Sequence, residues 1–169
     1  MHLFETKRLL VRLLSLNDLQ VMTKILSDPD VMRHSVRGVC DEKATREFIE
    51  WCIACYKTHG VGPWALTEKT NGDLIGFCGL SPEVVKDTEE INLGYRLSKK
   101  YWGQQLATEA AKAVVDYGFN QKQVDSIIVI IEPAHIASLR VAEKCGFNDF
   151  TATTYHDKSV RIYRLNRKR

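Results

Sequence analysis

The run Asp125–Pro133, DSIIVIIEP, constrains this chain more than any other stretch. Ile127 through Ile131 are all β-branched, with no alternation of polar and apolar positions. Such a strand is buried on both faces, which places it at the centre of a sheet with helices above and below. The flanking sequence supplies those helices. LATEAAKAVVDYGFNQ precedes the run, with Leu106, Ala110, Ala113, Val114 and Tyr117 near one face. HIASLRVAEKCGF comes after it and stops at Gly146, a C′ glycine. Between INLGYRL and SIIVIIE the order is strand, helix, strand, which predicts a parallel pair with a ligand site at the carboxyl ends.

The remaining segments fill out one mixed sheet. KRLLVRLL (7–14) reads as a first strand with Leu9, Val11 and Leu13 on one face. A helix starts near Ser15 or Asn17 and carries Leu19, Met22, Ile25 and Leu26 at helical spacing. Asp28 and Pro29 predict the cap and first residue of a second, short helix that ends by Gly38. Asp41 caps a third helix, with Ala44, Phe48, Trp51, Cys52 and Cys55 as its stripe and Gly60 as its stop. PWALTEK and LIGFCGLS form a hairpin around Asn71-Gly72. Pro82 opens a charged loop, PEVVKDTEE, before INLGYRLS. FNDFTATTYH and SVRIYRLN close the chain as a hairpin around Asp157-Lys158. The expected class is α+β, an α/β three-layer domain spanning residues 1–169, with a twisted sheet of about seven strands.

Composition narrows the function classes. The 169 residues fit one domain with a substantial core. No apolar run reaches membrane-spanning length, and MHLFETKRLLVRLL lacks the pattern of a secretory signal. A cytoplasmic protein is expected. The net charge of +3 gathers in the terminal RLNRKR, read as a solvated tail rather than a nucleic-acid contact. Cys52 and Cys55 spell C-x-x-C inside a helix, with no second pair at zinc-ligand spacing. They read as core thiols, and no metal is expected.

The segment YWGQQLATEA (101–110) runs into the long helix. The first amides of a helix have no internal partners and, with the helix dipole, can hold an anion. Gly103 allows close backbone approach, and Ala107, Ala110 and Ala111 keep the surface small. It is neither a P-loop nor a G-x-G-x-x-G turn. The physics alone leaves a phosphate site and an empty helix cap both open.

Several segments, in order, resemble one family. ETKRLLVRLLSLND, with Glu5, Thr6, Arg8, Leu9, Arg12 and Asp18, is similar to the entry of the RimJ/RimL-like branch of the GNAT N-acetyltransferases, and SDPDVMRHS to the next segment of that branch. LGYRLSKKYWGQQLATEAAKAVVDYGF resembles the family's acetyl-CoA signature, and IEPAHIASLRVAEKCGF its P-x-N-x-A-S-x-R motif. The resemblance implies a sheet splayed at the strand containing Leu93–Leu97, with acetyl-CoA in the gap and no metal. The backbone of Tyr95, Arg96 and Leu97 would meet the pantetheine arm. The amides of Trp102, Gly103, Gln104, Gln105, Leu106 and Ala107 would hold the pyrophosphate, with Thr108 behind and His135 and Ser138 also facing the cofactor.

The implied reaction is direct attack of a primary amine on the thioester in a ternary complex. It needs a base for the amine and a proton donor for the departing thiolate. Ser138 matches the donor serine of this branch, against the alternative of a first-turn serine bonding backbone. The tyrosine used by other members falls at Ala142. Four positions depart from the pattern. Gln105 replaces the second glycine; its side chain could crowd the pyrophosphate or donate to it, while backbone donation there needs no glycine if the conformation is ordinary right-handed helix. His135 replaces an asparagine, Asn92 a glutamate, and Phe150 an acidic residue. Glu90, on the same strand face as Asn92, is a candidate base, as are His34 and His135. His34 and Asn92 are also candidates for contact with the acceptor. The acceptor is a protein N-terminus or a small amine, met by a monomer or homodimer. The departures motivate an alternative, a non-catalytic acyl-CoA-binding module.

Overall fold

The computed structural model describes residues 2–168. Eight strands form one sheet: β1 (Phe4–Glu5), β2 (Leu9–Arg12), β3 (Pro63–Glu68), β4 (Leu74–Val85), β5 (Thr88–Leu97), β6 (Ser126–Ile131), β7 (Phe150–Tyr155) and β8 (Lys158–Asn166). Their spatial order is β1-β2-β3-β4-β5-β6-β8-β7. Every pairing is antiparallel except β5 with β6.

Four helices cover the two faces. They are α1 (Leu19–Leu26), α2 (Glu42–His59), α3 (Leu106–Asn120) and α4 (Ile136–Lys144). Met22, Ile25, Phe48, Ile49 and Cys52 of α1 and α2 cluster with Ala65 and Phe77 on one face. Leu106, Ala110, Val114 and Ala142 of α3 and α4 cluster with Trp64, Leu80, Leu93 and Val129 on the other. β6 is central as its composition requires, with Ile127, Ile128, Val129 and Ile131 buried. Truncating Ile127 to alanine there would cost roughly 2–5 kcal/mol. Burial also accounts for Cys52 and Cys55, whose thiol pKa values it pushes up.

Two ion-pair clusters join segments that are distant or abruptly turned. Glu109, in the first turn of α3, accepts from Thr6 Oγ1 (2.5 Å), the Arg8 amide (2.9 Å) and Arg8 Nε (2.8 Å). Burial raises the Glu109 pKa, but the Thr6 and Arg8 bonds outweigh it and hold the carboxyl below its ordinary value. Arg12 clasps Asp18 through two bonds of 2.9 Å. Ser15 and Asp18 form a capping box that turns the chain into α1. This turn ends β2 at Arg12, so Leu13 is exposed instead of extending the face of Leu9 and Val11.

Four local expectations need correction. No helix forms after Asp28. Its Oδ1 accepts the Asp30 amide (2.9 Å) and its carbonyl the Met32 amide (3.1 Å), giving successive turns that carry buried Val31 and Met32. Secondly, the stretch from Pro82 is not a loop: β4 continues to Val85 and turns through Lys86 and Asp87, both at positive φ, as a two-residue hairpin turn requires. Pro82 fits because β3 stops pairing at Gly79, so the missing N–H faces no neighbour. Thirdly, the last hairpin turns at His156–Asp157, one residue earlier than expected. Finally, Trp51 is exposed on α2.

Candidate active site: two clefts meeting at a split in the sheet

β5 and β6 are paired at a single register position, Asn92 with Ile128. Beyond it β5 runs on to Leu97 and β6 to Ile131 without pairing with each other. The parallel strands therefore part at their carboxyl ends, and a cleft opens on each side of the split.

The first cleft, about 550 Å³, lies between the carboxyl end of β5 and the amino ends of α3 and α4. It is lined by Tyr95, Arg96, Leu97, Trp102, Gly103, Gln105, Leu106, Ala107, Thr108, His135 and Ser138 among others. Every nominated cofactor-facing residue borders it except Gln104, whose side chain turns back toward the Lys100 carbonyl (3.5 Å). The amides of Gly103 through Thr108 have no hydrogen-bond acceptor among the described residues. The Trp102 amide is taken by the Lys99 carbonyl, and its indole N–H by the Leu97 carbonyl (3.0 Å). Gly103 sits at φ 77° with nothing within 4 Å of where a Cβ would stand. A run of free amides at a helix head, opening on a cleft, fits a pyrophosphate group.

Gln105 behaves differently from the sequence expectation. Its φ of 64° and ψ of 17° are left-handed, not right-handed helix. The position is one where glycine is the unstrained residue, at a cost of roughly 1–2 kcal/mol to any other. Its side chain does not cap α3 and instead accepts a bond from Lys144 of α4 (2.8 Å).

The second cleft, about 690 Å³, opens on the opposite face. Its floor is made by facing pairs of β4 and β5: Phe77 with Arg96, Gly79 with Gly94, and Ser81 with Asn92. Its walls come from the turns at His34–Arg37, from Phe48 and Trp51 of α2, and from Tyr155, His156 and Lys158 of the final hairpin. Asn92 Oδ1 is buried without a hydrogen-bond partner.

Three residues border both clefts: His34, Tyr95 and Arg96. His34 Nδ1 lies 3.6 Å from Glu132 Oε2, and Lys158 holds the other Glu132 oxygen at 3.0 Å. Burial pushes the Glu132 carboxyl pKa up, but Lys158 and His34 bring it below its ordinary value. His34 stacks on His135 with ring centres 4.2 Å apart. His135 makes no side-chain cap bond; burial, then the nearby His34 and Arg96, lowers its pKa to about 4, so it is neutral at pH 7. The Tyr95 hydroxyl meets Ser138 Oγ at 2.7 Å, and burial raises the phenol pKa. The Ser138 hydroxyl thus bonds a side chain across the cleft, not the helix backbone. Arg96 donates from Nη1 to the Tyr95 carbonyl (2.8 Å) and makes no ion pair among the described residues.

Glu90 is not part of this group. It borders neither cleft and is held by Arg164 through bonds of 3.0 and 2.5 Å. Sequence reasoning missed Glu132 and the side chains of Tyr95 and Arg96. A carboxylate at the carboxyl end of the central strand was the available signal for Glu132. For Tyr95 it was the alternation with Leu93 and Leu97, which buries a hydroxyl that needs a partner.

Comparison with known proteins agrees with this architecture. The acetyltransferase (GNAT) domain family matches residues 8–148. The uncharacterized protein YkkB of Bacillus subtilis is 34% identical over 139 residues, covering 82% of this chain and 80% of that one. The structure of a GNAT-family acetyltransferase from Bacillus anthracis superposes with a TM-score of 0.80 at 25% identity, covering 96% and 97%. The aminoglycoside acetyltransferase AAC(6')-Ib in complex with coenzyme A shares the fold with a TM-score of 0.77 at 19% identity, covering 94% and 95%. A mixed sheet split at its one parallel pair, free amides at the head of the following helix and these matches make the chain a member of the GNAT acetyltransferase family.

Proposed function

We propose that the protein is an acetyl-CoA-dependent N-acetyltransferase of the RimJ/RimL-like branch, acting on a primary amine in a ternary complex in the cytoplasm. The observation that carries this is the junction of the two clefts at His34, Tyr95 and Arg96. One cleft ends in six free amides suited to a pyrophosphate, and the other opens to solvent on the opposite face.

The residues present fit acetyl-CoA. The amides of Gly103 to Thr108 would receive its pyrophosphate, and the edge of β5 that faces β6, free beyond Asn92, its pantetheine arm. Bound there, it supplies a thioester carbonyl open to an amine and a sulfur able to leave. His34 takes the amine proton at Nε2, since the Glu132 carboxylate lies 3.6 Å from Nδ1 and favours the proton on that nitrogen. Glu132 stabilises the imidazolium that results, and Lys158 holds the carboxylate in place. On the other side Ser138 donates its proton toward the leaving sulfur, and the Tyr95 hydroxyl replaces it through their 2.7 Å contact. The raised phenol pKa keeps Tyr95 protonated before the step, and the phenolate left behind recovers a proton from solvent as the products leave. His135 stays neutral and supports the His34 ring by stacking.

Thiol release from acetyl-CoA across a panel of primary amines tests the activity, with calorimetry for coenzyme A binding alongside. His34→Gln should lower kcat by about 10²-fold or more while leaving coenzyme A affinity unchanged. Binding without release of thiol on any amine would return the non-catalytic reading. Absence of binding at millimolar acetyl-CoA would remove both.

A further inference from the structure

The charges of the second cleft are unequally committed. Glu132 is engaged by Lys158 and His34. Glu83 accepts the Tyr155 hydroxyl at 2.7 Å. Arg96, at the point where the clefts meet, has one bond to a backbone carbonyl and no carboxylate within ion-pairing distance among the described residues. A guanidinium offers five N–H donors in a planar fork that matches a carboxylate. A partly desolvated cation with most of its donors idle is costly unless a ligand completes it. Its pKa is depressed by that burial.

The neighbours of Arg96 shape what that ligand is. His34, the residue facing the amine in the proposed reaction, borders the same junction. An anion on Arg96 therefore lies close to the reacting nitrogen. Further along the same strand face, Gly94 leaves the floor bare: an added Cβ would meet only Asn92 Nδ2, at 3.9 Å. Beyond it the buried Asn92 Oδ1 lacks a donor. The trough from Arg96 to Asn92 spans four residue steps of strand, about 13 Å.

We infer that the acceptor is a free α-amino acid, or a close analogue with carboxylate and amine on neighbouring atoms, whose carboxylate is clamped by Arg96 and whose side chain runs over Gly94 toward Asn92. The inference rests on the acetyl-transfer reading for its chemistry but concerns recognition. It separates acceptors that the family fold leaves equivalent. A protein N-terminus has its α-carboxyl locked in an amide, and polyamines and aminoglycosides lack one.

The test uses the full chain loaded with acetyl-CoA for turnover, and with coenzyme A for binding. The probes are free α-amino acids, each beside its α-amide and its decarboxylated amine. The expected result is that at least one free amino acid binds and is acetylated, with kcat/KM about tenfold or more above its amide. Arg96→Gln should lower kcat/KM on the free acid, mainly through KM, by a larger factor than on its α-amide, so that the preference is lost. Arg96→Lys, which keeps the charge but not the fork, should retain part of it and guards against a folding defect. Equal binding and turnover of acid and amide would overturn the inference. So would a uniform loss on all acceptors in Arg96→Gln, which would place the guanidinium on the thioester instead. Carboxylate-selective binding without thiol release would refute acetyl transfer while upholding the recognition by Arg96.

Discussion

The hydroxyl of Tyr95 lies 2.7 Å from that of Ser138, across 43 residues of sequence and on opposite walls of one cleft. Neither group alone is well placed to return a proton after giving one up. Together they form a two-member relay, with the phenol behind the serine. Tyr95→Phe and Ser138→Ala should each lower kcat by roughly 10²-fold. The double variant should fall no further than the worse single one, because members of a unit are not additive. Coenzyme A affinity by calorimetry should stay within about threefold. Turnover unchanged in Ser138→Ala would refute the relay.

A second expectation concerns acid stability. An ordinary histidine titrates at 6.5, and His135 in the folded chain at about 4. Between those values the unfolded chain binds a proton that the folded chain does not. Stability is therefore fully present above about pH 6.5 and declines as the pH falls to 4. The decline attributable to His135 should be about 1–2 kcal/mol once the ring's partial exposure is allowed for. Denaturant titrations at pH 7 and pH 4.5 measure it. His135→Asn should flatten that part of the profile, and an unaltered slope in the variant would place its origin elsewhere.

Gln105→Gly addresses the left-handed turn. The substitution relieves roughly 1–2 kcal/mol of backbone strain. It returns about 0.4–1 kcal/mol through the freedom glycine has when unfolded. The melting temperature should rise by about 2 °C. Affinity for coenzyme A should stay equal or tighten, since the Gln105 carboxamide is occupied by Lys144. Weaker binding would identify the carboxamide as a ligand to the pyrophosphate.

Gly94→Val probes the acceptor cleft by filling its floor. Gly94 borders that cleft and not the other. Its Cβ direction is open, so the fold should tolerate the change. A misfit of about 1–3 kcal/mol toward the acceptor corresponds to a loss of roughly 5- to 150-fold in kcat/KM. Coenzyme A binding should not change. Equal loss in both would mean the side chain distorts β5 itself.

Legibility in the sequence tracks the range of the interactions involved. Asp41 and Gly60 bracket α2 as read, because a cap and a left-handed stop are properties of a few adjacent residues. The central burial of β6 was equally legible, since five β-branched residues leave no polar face. Pro82 misled because a proline is compatible with a strand only where the neighbouring strand is absent, and that depends on where β3 ends. The left-handed turn at Gln105 was signalled only by the glycine that the resembled pattern holds there, since glutamine itself does not announce it. In the site, the free amides at the head of α3 could be anticipated from helix geometry alone. The His34–Glu132 and Tyr95–Ser138 contacts could not. They join segments 98 and 43 positions apart, and only the three-dimensional path of the chain decides them.

The single register pair between β5 and β6 leaves an edge in the interior of the sheet. Sheet edges normally face solvent, where they invite other chains, and proteins blunt them with charge, proline or a covering loop. Here α3 and α4 flank the open edge on one side and the walls of the second cleft on the other, so access to it runs through the two clefts. Only a thin, extended guest can slip in and complete the ladder. Such a guest would act as a ninth strand, and the sheet would be mechanically whole only while it stayed.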